Sequence, residues 1–587
     1  MFWNDFPWTN FNELNLDWVF KTIKEQGIAI ADNAKKIDDT YSYISENLEE
    51  IVDEKLPAII SSLQSVIINV KWYGATGDGT TDDSDSIRAA LAVGNILYFP
   101  EGTYRFKEIE TGNPVIIFGD GAKTVFTPIH KHAGTNQGYK LFDFQNSVYL
   151  HNLQLKFDTS VTTPSGAKYY QEAAFYAVGV DHVHLDHIIF DNIFDTYHLG
   201  VGTLDFEDRQ GLAIYFHNCN EVCINDCEIK EFGGEEFAWI SRTTARYGSG
   251  KISIQNNYFH DRTSQDKGSA FTVLGGNLIF TDNCCYNFNN IYPWDTVNKA
   301  GSLFNLMGAY ITCTNNIFID CLCGNYIDFS EGYYNKVEEL IVANNIFNGK
   351  ALSPMRFMAK NVTIDGNYID SVLAFRGFII DAIPASGIPY CVDGNTLYEF
   401  DNVTITNNNF HIGVVPFATA YPTGSYNVYL GIGQYPSGQA PIYKKMVISG
   451  NHFTRDPDNI THDVIWSACM FEDITIANNI FDSGSAGSLN SVGAATKGFI
   501  GGSGYDTANN LIGQVNIIGN TFVCDENTTY DILGGDSTYR PHISHLLSNN
   551  TAVTYIGFSG TVYDHVAPEN QWARTQSNNN FQITDRT

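Results

Sequence analysis

Val403-Thr404-Ile405-Thr406-Asn407-Asn408-Asn409-Phe410 holds the phrase on which most of this chain is built. Two apolar residues alternate with polar ones, an Asn follows three places after the second, and an aromatic stands two places further on. Ile252-Ser253-Ile254 with Asn257 and Phe259, Ile311-Thr312-Cys313 with Asn316 and Phe318, and Ile341 with Asn345 and Phe347 repeat it. So do Val362-Thr363-Ile364 with Asn367 and Ile369, Val447-Ile448 with Asn451 and Phe453, Ile474-Thr475-Ile476 with Asn479 and Phe481, and Val515-Asn516-Ile517 with Asn520 and Phe522. Weaker copies begin at Val148, Val183, Val222, Leu278 and His545. The step between copies varies from short (Asn345 to Asn367) to long (Asn408 to Asn451), as expected of one solenoid coil plus loops of unequal length. Alternation turns Val and Ile inward, and a turn Asn stacked from coil to coil can exchange amide hydrogen bonds with its neighbours. A β-propeller would need four strands per blade and a stricter period. The reading is all-β: a parallel β-helix over 131–550.

Composition agrees. Of 587 residues, 43% are hydrophobic and 17% charged, which describes a folded chain; 51 Gly, 39 Phe and 33 Tyr suit short strands and tight turns. The formal charge of −31 argues against nucleic acid or an acidic membrane as partner. No stretch has the apolar length of a membrane span, and no basic-then-apolar leader follows Met1-Phe2-Trp3-Asn4-Asp5, so synthesis in a cytoplasm is expected. Eleven cysteines without paired CxxC knuckles read as small core residues rather than metal ligands.

From Val19 to Ile51 the spacing changes to four-and-three: Val19, Ile23, Gln26, Ile30, Asn33, Ile37, Thr40, Ile44, Asn47, Ile51. Ile fills every a position, and after Val19 the d positions are polar, which predicts an α-helical coiled coil over 19–66 whose polar layers fix register and favour a trimer. A single amphipathic helix is the alternative. The polar d layers resemble those of trimeric viral fibres and bacterial adhesins. Before the coil, Phe6-Pro7-Trp8-Thr9-Asn10-Phe11 through Trp18 is an aromatic segment too short to fold alone. It resembles the virion-attachment peptides of tail and preneck appendages of small podophages, which implies that 1–18 docks on phage tail or neck proteins. Residues 551–587, including Trp572, lack the repeat and read as a C-terminal cap or trimerising end.

Between coil and repeat stands Trp72-Tyr73-Gly74-Ala75-Thr76-Gly77-Asp78-Gly79-Thr80-Thr81-Asp82-Asp83, then a short helix including Ile87 and Leu91, then Ile96-Leu97-Tyr98-Phe99-Pro100-Glu101-Gly102-Thr103-Tyr104. A Gly-Asp-Gly turn, an Asp N-cap and a strand closing on Pro-x-Gly account for it. This segment resembles the opening motif of the pectate-lyase superfamily, common at the start of phage tailspike β-helices. The resemblance implies a right-handed β-helix whose first coil is capped by the helix within 67–130, and it implies structural roles for Asp78, Asp82 and Asp83.

Candidate chemistry lies in a second strand of several coils. Gly211-Leu212-Ala213-Ile214-Tyr215-Phe216, Glu236-Phe237-Ala238-Trp239-Ile240-Ser241, Gly268-Ser269-Ala270-Phe271-Thr272-Val273, Gly301-Ser302-Leu303-Phe304-Asn305-Leu306 and Gly324-Asn325-Tyr326-Ile327-Asp328-Phe329 align with Glu236 where the others have Gly. Parity then puts Ile214, Trp239, Phe271, Phe304 and Ile327 in the core and Glu236 outside. Asp205, Glu207, Asp208 and Arg209 stand one coil before; Asp261, Asp266 and Lys267 one coil after. Coils about 4.8 Å apart bring carboxylates within the separations glycosidases use, about 5–5.5 Å for retention or 6.5–9.5 Å for inversion, and crowding raises the pKa of one of them. Gln210-Gly211-Leu212 through Ile240 also resembles the catalytic stretch of polygalacturonase-like hydrolases. By that resemblance Glu235 and Glu236 match the catalytic Asp pair, Gln210 stands where the family has another Asp, and Tyr247-Gly248-Ser249-Gly250 is the nearest match to its GHG motif.

The expected catalytic carboxyls are therefore Glu236, Glu235, Asp208 and Asp266, with Arg209, Lys267, Tyr215, Tyr247, Tyr292 and Trp294 as substrate-binding groups. His182, His184 and His187 precede this region, but with no further ligand indicated no metal site and no cofactor is assigned. The expected function is that of a trimeric virion appendage of the tailspike type, which binds and hydrolyses a host-surface polysaccharide. The alternatives are a lyase, with Arg209, Arg242 or Lys267 as base, and a binding appendage without activity.

Overall fold

The computed structural model describes residues 67–129, 140–157, 169–193, 209–232, 236–243, 249–262, 269–288, 302–329, 337–357, 359–371, 378–380, 399–412, 430–432, 442–455, 465–467, 470–482, 487–488, 496–502, 513–524, 529–533, 543–554, 562–565, 574–577 and 580–583. The chain divides into two units, Met1–Ile67 and Ile68–Thr587. The expected attachment peptide and coiled coil lie outside the described residues.

The second unit begins with the turn Val70–Tyr73, closed by Gly74 in the left-handed region. The opening acids hold this segment together. Asp83 is 1% exposed and accepts from Thr76 N (2.7 Å), Thr76 Oγ1 (3.1 Å) and Gly77 N (3.3 Å). Asp82 accepts from Ser84 N (3.0 Å) at the start of the helix Ser84–Leu91, and Asp78 accepts from Thr80 and Thr81. The helix buries Ile87 and Ala90 in the same core as Val70, Leu97 and Phe99. Gly102 has no room for a side chain: a Cβ there would lie 2.8 Å from Gly77 O.

From Ile96–Phe99 onward the strands pair in parallel, each with its counterpart one coil away. In the first ladder Leu97, Ile117, Leu150, Leu185, Ile224, Ile254, Phe280, Cys313, Val342, Ile364, Ile405, Ile448, Ile476 and Ile517 occupy one buried column. The second ladder follows the turn and stacks Phe410, Phe453, Phe481 and Phe522 at 4.9, 5.1 and 5.0 Å with nearly parallel rings. A third ladder runs through Lys140–Phe144, Tyr169–Val178, Arg209–His217, Glu236–Ser241, Ser269–Leu274 and Ser302–Met307. The architecture is a parallel β-helix; among the described residues one antiparallel pairing occurs, between Gly487–Ser488 and Thr496–Gly502. No described helix is long and apolar enough to cross a membrane.

The turn between the first two ladders is where the repeated Asn acts. Asn257, Asn283, Asn316, Asn345, Asn367, Asn408, Asn451, Asn479, Asn520 and Asn550 are each at most 2% exposed. Asn451 shows the pattern. Its Oδ1 accepts from Asn408 N and Nδ2 (both 2.9 Å), while its Nδ2 donates to Ile405 O one coil back (2.9 Å) and to Asn479 Oδ1 one coil on (3.0 Å). Both donors and both lone pairs are used, so the amide is buried without an unmet polar atom. The preceding residue takes a left-handed backbone, φ 55° at Asn407 and 69° at Gly450, which turns the chain and directs the Asn inward.

The ladders continue beyond residue 550. Thr551–Thr554 pairs with Asn580–Ile583, and His545, Leu546 and Leu547 pair with Arg574, Thr575 and Gln576. The tail thus carries another coil, which sequence alternation did not signal because Arg574 and Gln576 hold columns filled by apolar residues elsewhere.

Replacing Asn451 by Ala strands the Asn408 donors and the Ile405 carbonyl. Chemical denaturation is expected to find Asn451→Ala destabilised by at least about 2 kcal/mol, and the outward Thr404→Ala changed by less than about 0.5 kcal/mol.

Candidate functional site

The outward face of the third ladder is built by register. Asp143, Tyr176, Tyr215, Trp239, Thr272, Asn305, Asp328 and Arg356 oppose one another in successive coils. The column thus runs from a carboxylate through three aromatics to polar groups, one residue for each coil spacing of about 4.8 Å.

This register corrects the parity expected from sequence. Ala238, not Trp239, lies in the column of Ile214 and Phe271, and Trp239 pairs with the outward Tyr215 and Thr272. Ile214, Phe271, Phe304 and Ile327 are buried as expected, whereas Trp239 is half-buried. The cause is a corner at which two consecutive residues enter the core: Phe237 and Ala238, Ala270 and Phe271, Leu303 and Phe304, Tyr326 and Ile327 are all buried. Strict alternation counted through that corner slips by one. Glu236 consequently opposes Ser269 rather than Gly268. Asn305 Nδ2 donates both to Ser269 Oγ (3.0 Å) and to Thr272 Oγ1 (3.4 Å), so these side chains meet on one side of the ladder, where Ser269 and Thr272 are buried. Ser269 and Ser302 are nearly buried there, with Ser269 Oγ donating to Ser302 O (3.0 Å).

Tyr215 is half-buried on the same face, and one side of its ring is taken by Tyr176, 5.1 Å away and inclined by 8°. Tyr176 in turn carries the Lys140 ammonium 3.6 Å from its ring centroid, and Lys140 is bonded to Asp143 (2.6 Å). The two tyrosines therefore form a rigid stacked pair. Arg209 opposes Tyr169 in the ladder. Glu235, Asp208, Asp266, Lys267, Tyr247, Tyr292 and Trp294 lie outside the described residues.

Two groups on this face were not picked out from sequence. Asn218 Oδ1 accepts from Thr243 N (2.7 Å), which orients the amide so that its Nδ2 donates to His217 Nε2 (3.0 Å). His217 therefore carries its proton on Nδ1 and donates it to Ser241 Oγ (2.8 Å). In this tautomer Ser241 is an acceptor, so the pair is not an activated nucleophile. Arg242, proposed as a lyase base, is 7% exposed and donates through Nη1 to Cys219 O and through Nη2 to Ser249 Oγ (3.3 Å). It works as a buried clamp. The signal for both lies in matching strand ends across coils, because His217 and Ser241 are separated in sequence but opposed in register.

On the first ladder, histidines and carboxylates that could hold a metal come together in two groups, His151 with Asp186 and His187, and His182 with His184 and Glu221. Their partners come from neighbouring coils, which is why the His182, His184, His187 run carried no ligand set by itself. The described cysteines are free, and all but Cys223 and Cys284 are buried; burial pushes the Cys219 thiol up to about 11.

Comparison with known proteins agrees with this architecture. Residues 67–293 match the family model described as rhamnogalacturonase A/epimerase, pectate lyase-like. Over this stretch the chain is similar to pectate-lyase-like β-helix domains. The chain is also distantly homologous to phage pre-neck appendage proteins. It is 25% identical over 275 residues to that of Bacillus phage B103, covering 42% of this chain and 30% of the relative. It is 22% identical over 381 residues to that of Bacillus phage phi29, covering 58% and 39%. The chain thus spans well under half the length of these relatives. Among solved structures it is similar to the Pseudomonas phage phi297 tailspike gp61, with TM-score 0.41, 12% identity and coverage of 70% of this chain and 80% of that one.

Burial, and then the Arg242 guanidinium, push the His217 pKa below its ordinary value. The unfolded chain takes up this proton at higher pH than the folded one. The stabilisation is thus complete above the ordinary imidazole value of about 6.5 and is lost as pH falls through it toward the lowered folded value. Thermal melts are expected to show stability falling on acidification from neutrality, with a smaller fall in His217→Gln; an equal fall in both would contradict this assignment.

Proposed function

We propose that this chain is a virion appendage that grips a host-surface polysaccharide along the outward face of its third ladder and cleaves it by hydrolysis. The observation that carries this reading is the column Tyr176, Tyr215, Trp239 and Asn305, half-buried on one side of the third ladder, with Thr272 buried between Trp239 and Asn305. It offers aromatic and then hydrogen-bonding groups in register along the coil axis, which suits a polymer lying lengthwise. Glu236 opposes Ser269 in the same ladder, three residues before Trp239. In this reading Glu236 and Glu235 supply the paired carboxyls, one protonated to meet the leaving oxygen and one ionised to act as base or nucleophile. Asp208 and Asp266 from the flanking coils keep one of them protonated. Arg209, Lys267, Tyr247, Tyr292 and Trp294 contact the sugar around them.

Hydrolysis is favoured over elimination by the burial of Arg242 in backbone contacts, which removes one of the bases a lyase would draw on. Homology to pre-neck appendage proteins supports the place on the virion, with residues 1–18 attached to tail or neck proteins and 19–66 joining three copies. The strongly negative chain, at −31, suits a sugar polymer better than a polyanion.

The test is a reducing-end assay on host capsular or wall polysaccharides. The intact chain is expected to release new reducing ends without products absorbing in the ultraviolet. Glu236→Gln should lower turnover at least about 100-fold and leave binding intact, whereas Trp239→Ala should weaken binding about 10-fold. Ultraviolet-absorbing products would establish the lyase instead, and full activity in Glu236→Gln would remove the carboxyl from the mechanism.

A further inference from the structure

The corner that follows the first ladder has one irregular position. In successive coils its left-handed residue is Asn152, His187, Asp226, Asn256, Asp282, Asn315, Asn344, Gly366, Asn407, Gly450, Asn478, Gly519 and Asn549. Asn, Asp and Gly take this backbone with the least strain, and His187 alone departs from them, at φ 52°. Its side chain is not idle. His187 Nδ1 lies 3.1 Å from Asp186 Oδ2, and His151 Nδ1, brought from the preceding coil by the pairing of His151 with Asp186, lies 2.7 Å from the same oxygen. The two imidazoles meet at 5.4 Å between centroids and 68° between planes, and Tyr149 Oη donates to Asp186 Oδ2 as well (3.1 Å).

We propose that His151, Asp186 and His187 form a binding site for a divalent transition-metal ion of the zinc class, clasping two adjacent coils near the start of the solenoid. The three ligand atoms lie within 4.8 Å of one another. Around a tetrahedral ion with bonds of about 2.0–2.1 Å, neighbouring ligand atoms sit about 3.3 Å apart, so the two contacts to Asp186 need to open by only a few tenths of an ångström, and the two ring nitrogens, within 4.8 Å of each other, settle to the same spacing. Two imidazoles and a carboxylate suit Zn²⁺, Co²⁺ or Ni²⁺, whereas Ca²⁺ and Mg²⁺ prefer oxygen ligands alone. Tyr149 supplies the outer hydrogen bond that orients the Asp186 carboxylate. Asp226 follows His187 in the corner column, one coil on. The side chains are 37%, 22% and 57% exposed, for His151, Asp186 and His187 in turn, so a hydrated ion can enter.

The second histidine group provides an internal control. His182 Nδ1 and Glu221 Oε2 are 3.0 Å apart with His184 beside them, but these residues lie within regularly paired strands and not at a left-handed corner. The experiment uses the intact chain stripped with a chelator, then titrated with Zn²⁺ in equilibrium dialysis and with Co²⁺ followed by visible absorption. One equivalent per chain is expected to bind, with the intense bands of low-coordinate Co²⁺, and to raise the thermal midpoint. His187→Asn restores the residue that the corner uses elsewhere, so it should fold normally by circular dichroism. It should nonetheless weaken binding at least about 10-fold, while His182→Gln retains it. The proposal is overturned if the intact chain takes up no stoichiometric metal, if Ca²⁺ binds in place of Zn²⁺, if His187→Asn binds as the parent does, or if His182→Gln is the variant that abolishes uptake. The first of these results would leave the cluster as a network of ion pairs centred on Asp186.

Discussion

The structure depends on one buried hydrogen-bond ladder. Each turn Asn from Asn257 to Asn520 gives its two amide protons to a carbonyl one coil back and to the Asn oxygen one coil on, and from Asn283 onward its own oxygen receives two donors from the Asn before it. Such an amide tolerates neither a shift of register nor a change of spacing, because a slip of one residue would bury unmet donors at every level. Loops between coils can therefore vary widely in length while the coils stay aligned. At its upper end the ladder closes on the Cys227 backbone, whose N–H donates to Asn257 Oδ1 (3.0 Å). Above that point the ladder position is filled by the buried Cys227 and Ile188, while the left-handed position before it carries Asp226 and His187.

Register fixed in this way turns a solenoid into a surface with rows. Because each outward side chain sits one coil from the next, chemistry distant in sequence becomes linear in space. Tyr176, Tyr215 and Trp239 form one stretch of such a row, and His151 meets Asp186 by the same pairing. Rigidity comes from behind: Phe237 contacts Phe190, Phe232 and Phe271 edge-on or tilted at 4.9, 5.3 and 5.8 Å, so the strand bearing Glu236 rests on a filled aromatic core.

Much of this was legible in the residues. Ile-Thr-Ile followed by Asn is a period-two strand and a turn, and both survive in one copy after another because core and ladder each demand them. The opening Asp83 was legible as a structural acid for the same reason. The outward position of Trp239 was not, since the corner before it admits two residues in succession and a large apolar side chain invites the inward reading. Nor was the meeting of His151 with Asp186, whose weaker repeat copies at Val148 and Val183 give little to align. The tail escaped notice because Arg574 and Gln576 stand where Val or Ile would have marked a strand.

The place of the polymer on this surface is the point on which the functional reading turns. A crystal structure of the intact chain with an oligosaccharide of its host polysaccharide, taken on the Glu236→Gln variant, measures it directly. The sugar rings should lie along the coil axis over Tyr215, Trp239 and Asn305, with a glycosidic oxygen within hydrogen-bond reach of residue 236. Sugar bound on the first or second ladder, or across the coils away from residue 236, would contradict the assignment of this face.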